Sequence, residues 1–211
     1  MYREGKLLAY VEDAASKKPA PGGGSVSALA GALAAAMGEM VANFTAGRKK
    51  YTDVEAEVRA VLARLTECRA DLLELMDADV VAYGAVDAAY SMPAETDAQR
   101  AARKLATDKA LRGAMQAPLR TMRRCAQVGA SADRIARIGN PNLITDAGVS
   151  AILAEAACAA ARLNVEVNLK FLDDAGLRRD SVAEMDELTA QTRACRQSVS
   201  GVVAAHLGGK A

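Results

Sequence analysis

Thr52–Pro93 reads TDVEAEVRAVLARLTECRADLLELMDADVVAYGAVDAAYSMP. Its apolar positions are Val54, Val58, Val61, Leu65, Cys68, Leu72, Leu75, Tyr83, Val86 and Tyr90. With Asp79 standing between Leu75 and Tyr83, steps of three and four residues throughout give one face of a single long helix. Thr52 with Glu55 has the spacing of a capping box at its start, and Pro93 ends it. A helix this long decides the fold class, because its stripe needs partners of similar length.

The partners lie on both sides. A first helix is expected over about Glu4 to Lys17, with Leu7, Leu8 and Val11 inward. After Pro19-Ala20-Pro21-Gly22-Gly23-Gly24, an Ala-rich helix starts at Ser25 as N-cap and runs to about Thr45. A second capping box, Thr96 with Gln99, opens a helix to about Val128, kinked or split at Pro118. A short helix covers Ala132 to Ile138, and another runs from about Asp146 to Phe171. A third box, Ser181 with Glu184, opens the last helix after a break over Asp173 to Asp180. With no strand alternation, repeat or linker, residues 1–211 read as one all-α domain, an up-and-down bundle of long antiparallel helices.

Hydrophobic residues make up 51% of the chain and aromatics only 3%. Alanine leads the apolar set, which favours close helix packing through small side chains. The net charge of +1 gives no general attraction to nucleic acid or an anionic membrane. Met1 to Lys6 lacks an apolar run, so no signal peptide is expected. The apolar stretch Ser25 to Gly38 is short of a bilayer span and reads as a buried helix. Cys68, Cys125, Cys158 and Cys195 lie apart within helical patterns, as buried free thiols of a reduced, cytoplasmic protein.

Strong motifs for zinc, a serine nucleophile or a phosphate loop are missing, and the one histidine, His206, falls at a helix end. Acid–base chemistry then falls to Asp, Glu, Lys, Tyr or Cys. Asp79 stands on the apolar stripe where Leu would be expected. A carboxylate there is costly unless paired or used. It is either catalytic, or held in a buried salt bridge or on a neighbouring helix. Asp77 points elsewhere and reads as solvated. The Gly22-Gly23-Gly24-Ser25 turn enters a helix N-terminus, which suits an anionic or hydrogen-bond-accepting ligand or serves as a tight turn. Arg48, Lys49 and Lys50 suit carboxylates or form a solvated turn. Asn140, Asn142 and Asp146 flank a helix start. Asn164 and Asn168 project from one face of an apolar helix, for interhelical bonds or for a ligand. Asp146 shares that face but lies roughly 27 Å away along the helix. The two ends therefore serve a long ligand or meet across a subunit interface.

Five stretches together resemble the formiminotransferase-cyclodeaminase C-terminal domain family. They are Ser16 to Ser25 with the Ala-rich helix and Met40-Val41, Gly47 to Tyr51, Asp77 to Tyr83, Gly139 to Val149, and Leu163 to Leu169. They occur in the family's order. Many relatives carry Pro-Lys where this chain has Pro93-Ala94, so any role of that lysine is absent. The resemblance implies a dimer acting on tetrahydrofolate as the substrate carrier, with no metal or redox cofactor. It implies a methenyltetrahydrofolate cyclohydrolase, preferred on the Asn142 to Val149 stretch, or alternatively a formimidoyltetrahydrofolate cyclodeaminase. A helical scaffold without catalysis is the rival of another class. Within that reading Asp79 is the first catalytic candidate and Asp146 the second. Tyr83 belongs to the substrate site, Asn140 with it. Asn142, Asn164 and Asn168 suit the pterin, and Lys49, Lys50 and the Gly22 to Ser25 turn suit the glutamyl tail.

Overall fold

Helix α2 (Gly23–Asn43) runs through the middle of the bundle, packed against α3 (Glu55–Tyr90), α5 (Gln116–Ile138) and α6 (Ile144–Lys170) in the computed structural model, which describes residues 1–208. Small residues permit that position. A Cβ on Gly38 would stand 2.9 Å from a Leu65 methyl, and one on Gly31 3.0 Å from Cys125 Sγ, so three neighbours close directly onto the α2 backbone. Ser150 Oγ donates to the Ala34 carbonyl at 2.8 Å and ties α6 to α2. Helix α1 (Leu7–Ala14) precedes this core, α4 (Asp97–Ala114) leans on α3, and α7 (Ala175–Gly208) packs on α5 and α6. Among the described residues there is no β-strand.

The stripe on α3 is the core wall: Val58, Leu65, Cys68, Leu72 and Leu75 are all buried. A polar tie joins it to α2. Arg69 holds Glu39 of α2 through two hydrogen bonds of 2.6 and 3.2 Å, with Thr66 donating a third. The four thiols are free, and burial pushes that of Cys68 up to about 11.

Several local expectations are corrected. Leu7, Leu8 and Val11 face outward, and Tyr10 is the inward residue of α1. Only Thr96 with Gln99 forms its capping box. Thr52 lies in a 3-10 turn (Lys49–Val54), and Glu55 instead accepts the Gly47 amide at 2.8 Å. Ser181 is buried inside α7, which begins at Ala175, and Glu184 pairs with Arg123. The break expected at Pro118 falls at Met115, so Pro118 sits in the first turn of α5, where it costs no helical bond. The short helix at Ala132 is simply the end of α5.

α2 and the stretch Pro141–Lys170 are each long and apolar enough to cross a membrane, with a mean hydropathy of 1.5. In α2, 61% of that stretch is buried in the bundle, against 39% in the second. The difference is an apolar stripe left open. Val149, Ile152, Leu163 and Val167 on α6 lie exposed, as do Val26 and Leu33 on α2.

Candidate active site

The N-terminus of α2 starts at Gly23, not at Ser25, with Gly22 as a cap that offers no side chain. Its free amides therefore need an outside acceptor. Asp79 supplies it from α3: its Oδ2 accepts the Ser25 N–H at 2.9 Å. The approach is so close that a Cβ on Gly24 would lie 2.0 Å from Asp79 Oδ1. Asn164 arrives from α6 on the other side, where a Cβ on Gly23 would lie 3.2 Å from its amide nitrogen and oxygen. The Ser25 hydroxyl meets the phenol of buried Tyr10 at 3.0 Å. Three helices thus place a carboxylate, an amide and a hydroxyl pair around one helix end.

Burial pushes the Asp79 carboxyl above its ordinary range, and the Ser25 amide partly offsets this. Burial likewise raises the Tyr10 phenol, against a lowering bond to Ser25. Asn164 donates its side-chain NH2 to the Ala160 carbonyl at 2.9 Å, and Asn168 donates to the Asn164 carbonyl at 2.7 Å. Both amides are thereby oriented, with their oxygens free of protein donors among the described residues. Tyr83, one turn beyond Asp79, is 45% exposed and flanks the opening.

Gly22, Gly23, Gly24, Ser25, Asp79, Tyr83, Asn164 and Asn168 therefore share one end of the bundle. Lys49, Lys50, Asn140, Asn142 and Asp146 share the other. The 21 residues of α2 separate the two by about 30 Å. Asn140 is buried there. Its amide donates to Thr45 Oγ1 at 2.9 Å, and its side chain caps the turn Pro141–Leu143 through the Asn142 amide. Lys49 and Lys50 are exposed, Lys50 lying over the Tyr51 ring. Asp146 sits in the first turn of α6. Within one chain the Gly22 to Ser25 turn and Lys49 with Lys50 do not serve the same end of a ligand.

Asp77 is not solvated. It is buried, accepts the Tyr2 amide at 2.7 Å and faces Arg3 at 3.7 Å, pinning the N-terminal turn to α3. It lines a large apolar groove, about 1220 Å³, between α3, α4 and residues 1–3. That groove lies on the face of α3 turned away from Asp79. Tyr10 was not legible as a site residue, because the Leu7, Leu8 and Val11 pattern claims its helix for the opposite face.

Fold and site together define an all-helical bundle with a single-carboxylate polar centre built on a helix N-terminus. The chain belongs to the formiminotransferase-cyclodeaminase family, whose sequence model matches residues 6–187. It is 39% identical over 190 residues to a methenyltetrahydrofolate cyclohydrolase of Methylorubrum extorquens, covering 90% of this chain and 91% of that protein. It is 32% identical over 171 residues to the formimidoyltransferase-cyclodeaminase of Rattus norvegicus, covering 81% of this chain but only 32% of that longer protein. A crystal structure of a formiminotetrahydrofolate cyclodeaminase from Thermotoga maritima superposes with a TM-score of 0.86 at 31% identity, covering 96% of this chain and 97% of that one.

Proposed function

We propose that this chain is a methenyltetrahydrofolate cyclohydrolase, opening 5,10-methenyltetrahydrofolate to 10-formyltetrahydrofolate. The carrying observation is Asp79. It is a part-buried carboxylate fixed by one backbone amide, with no cationic side chain bonded to it among the described residues. Its second oxygen packs beside Gly24 and accepts no hydrogen bond among the described residues. The methenyl bridge is a delocalised cation, which such a carboxylate stabilises. Water adds to the bridge carbon and gives a proton to Asp79. The carbon–N5 bond then breaks as Asp79 returns that proton to N5, and the hydroxyl proton leaves to solvent, so the formyl group remains on N10. Asn164 and Asn168 offer oriented amides to the pterin edge, and Tyr83 its ring. The reading calls for no metal or redox cofactor.

We take the active form to be a cytoplasmic homodimer, with no nucleic-acid or membrane partner. The exposed stripe on α2 and α6 supports the dimer. A two-fold axis across those helices lays the basic end of one protomer over the glycine end of its partner. That is the arrangement in which Asp146 and Asn142 serve beside Asp79.

The Thermotoga relative favours a second reading, ring closure of formiminotetrahydrofolate with release of ammonia. Both reactions share the methenyl chromophore. Supplied methenyltetrahydrofolate should lose its absorbance faster with the protein than without. Supplied formiminotetrahydrofolate should gain absorbance, with ammonia, only under the second reading. No effect in either assay, and no folate binding by fluorescence, would leave a helical scaffold.

A further inference from the structure

Asp79, Tyr83, Val86 and Tyr90 follow one another along one face of α3, and Asn164 and Phe171 along one face of α6. Both helices run past the N-terminus of α2 in the same direction. Tyr90 lies about 16 Å beyond Asp79, and Phe171 about 10 Å beyond Asn164. The two tracks end at one cavity of about 350 Å³, closed by the early turns of α4. Arg100, Arg103 and Lys104 line it.

The three cations are not equivalent. Arg100 is spent on structure, since it pairs with Asp97 and donates to the carbonyls of Ala94 and Glu95. Arg103 and Lys104 have no carboxylate within ion-pair distance among the described residues. Two acids also line the cavity. Asp108 is neutralised by Arg112 at 2.8 Å, while Asp173 has no ion-pair partner among the described residues. Guanidinium and ammonium groups left unpaired at the end of an aromatic track select carboxylates.

We propose that Arg103 and Lys104 bind the γ-linked glutamyl carboxylates of the folate tail, the aminobenzoyl ring passing Tyr83 and Tyr90 on the way from Asp79. This rests on the cyclohydrolase reading for the position of the pterin. It moves the tail away from Lys49 and Lys50, which lie at the far end of the chain's bundle.

The test is two measurements on wild type, on Arg103→Gln with Lys104→Gln, on Lys49→Gln with Lys50→Gln, and on Asp173→Asn. One is KM for methenyltetrahydrofolate as mono- and pentaglutamate. The other is calorimetric binding of p-aminobenzoylpentaglutamate, which has no pterin and needs no turnover. The Arg103/Lys104 pair should weaken pentaglutamate about tenfold in both, with a smaller effect on monoglutamate. High salt should shrink the difference, and Asp173→Asn should tighten pentaglutamate. Wild type that binds no p-aminobenzoylpentaglutamate overturns the proposal. So does a loss produced by the Lys49/Lys50 pair and not by Arg103/Lys104. If the peptide binds through Arg103 and Lys104 yet methenyltetrahydrofolate is not turned over, the cyclohydrolase reading fails and the polyglutamyl site stands.

Discussion

Asp79 takes the place of a capping side chain for α2: its carboxylate, from another helix, accepts the Ser25 amide of the first turn at 2.9 Å. One residue thereby closes a helix end and, in the proposed reaction, serves as the carboxylate beside the bridge. Asp79→Asn separates the two tasks. The amide oxygen still accepts the Ser25 N–H, so the melting temperature should move little, by about 1 kcal/mol or less in stability. Turnover should fall on the order of 10²–10⁴-fold. Single-turnover rate and melting temperature on one preparation decide it. A variant that melts much earlier yet reacts normally removes Asp79 from the chemistry.

The contact also fixes what Gly24 can be. A Cβ there meets Asp79 Oδ1 at 2.0 Å, so either the carboxylate or the helix end must move. Gly24→Ala should cost about 1–3 kcal/mol and, by displacing the carboxylate, on the order of 10²-fold in turnover. Gly84→Ala is the control. Its Cβ would meet nothing within 4 Å, and Ala in place of Gly inside a helix should stabilise by about 0.5–1 kcal/mol. Denaturant melts of both variants test the contrast.

Burial raises the folded-state pKa of Asp79 above its ordinary value. The folded protein therefore holds this proton more tightly than the unfolded chain does. The associated stability is present at low pH and lost as pH rises through the raised folded value. Asp79→Asn removes that loss, so between pH 6 and 8, as an order-of-magnitude window above the carboxylate range, it should melt no earlier than wild type on this account. As the base of the proposed reaction, Asp79 works in the opposite sense. The plot of kcat/KM should fall on acidification, with a midpoint above ordinary carboxylates. A profile flat down to pH 4, about the unperturbed carboxylate value, would contradict the assignment.

Ile152 and Leu33 stand open on α6 and α2, in the stripe assigned to the dimer. Ile152→Glu should leave the isolated fold intact, because the side chain already faces outward. It should shift sedimentation from dimer to monomer at micromolar concentration. If Asp146 acts beside the partner's site, activity should fall with dissociation and return at high protein concentration. A variant that remains dimeric would place the interface elsewhere.

The long helices were legible because each carries several turns of period, and Val58 to Leu75 form the wall their spacing implied. The Asp79 position was legible as a break in that period. What escaped was set by other helices. Ser25, Thr52, Thr96 and Ser181 all look like caps, but of these four only Thr96 acts as one, because Asp79 serves α2 and Glu55 turns back to Gly47. Asp77 looked solvated because nothing nearby in sequence announces Tyr2 and Arg3. Helix α1, eight residues long, carries too few positions for its apolar pattern to say which side is covered. The grouping of site residues into two ends follows from α2 alone, once its length is known.

The 36 residues of α3 outrun the helix they pack against. From Asp79 onward only Ala89 of α3 is buried, whereas the stretch from Val58 to Met76 supplies seven buried apolar positions, Val58, Val61, Leu65, Cys68, Leu72, Leu75 and Met76. The proposed site therefore sits on a cantilever. Its outer turns carry little of the burial that holds the protein folded, so their amides should exchange at a lower opening free energy than those from Val58 to Met76. Substitutions along Val80 to Tyr90 can reshape what the protein accepts while the bundle behind them keeps its stability.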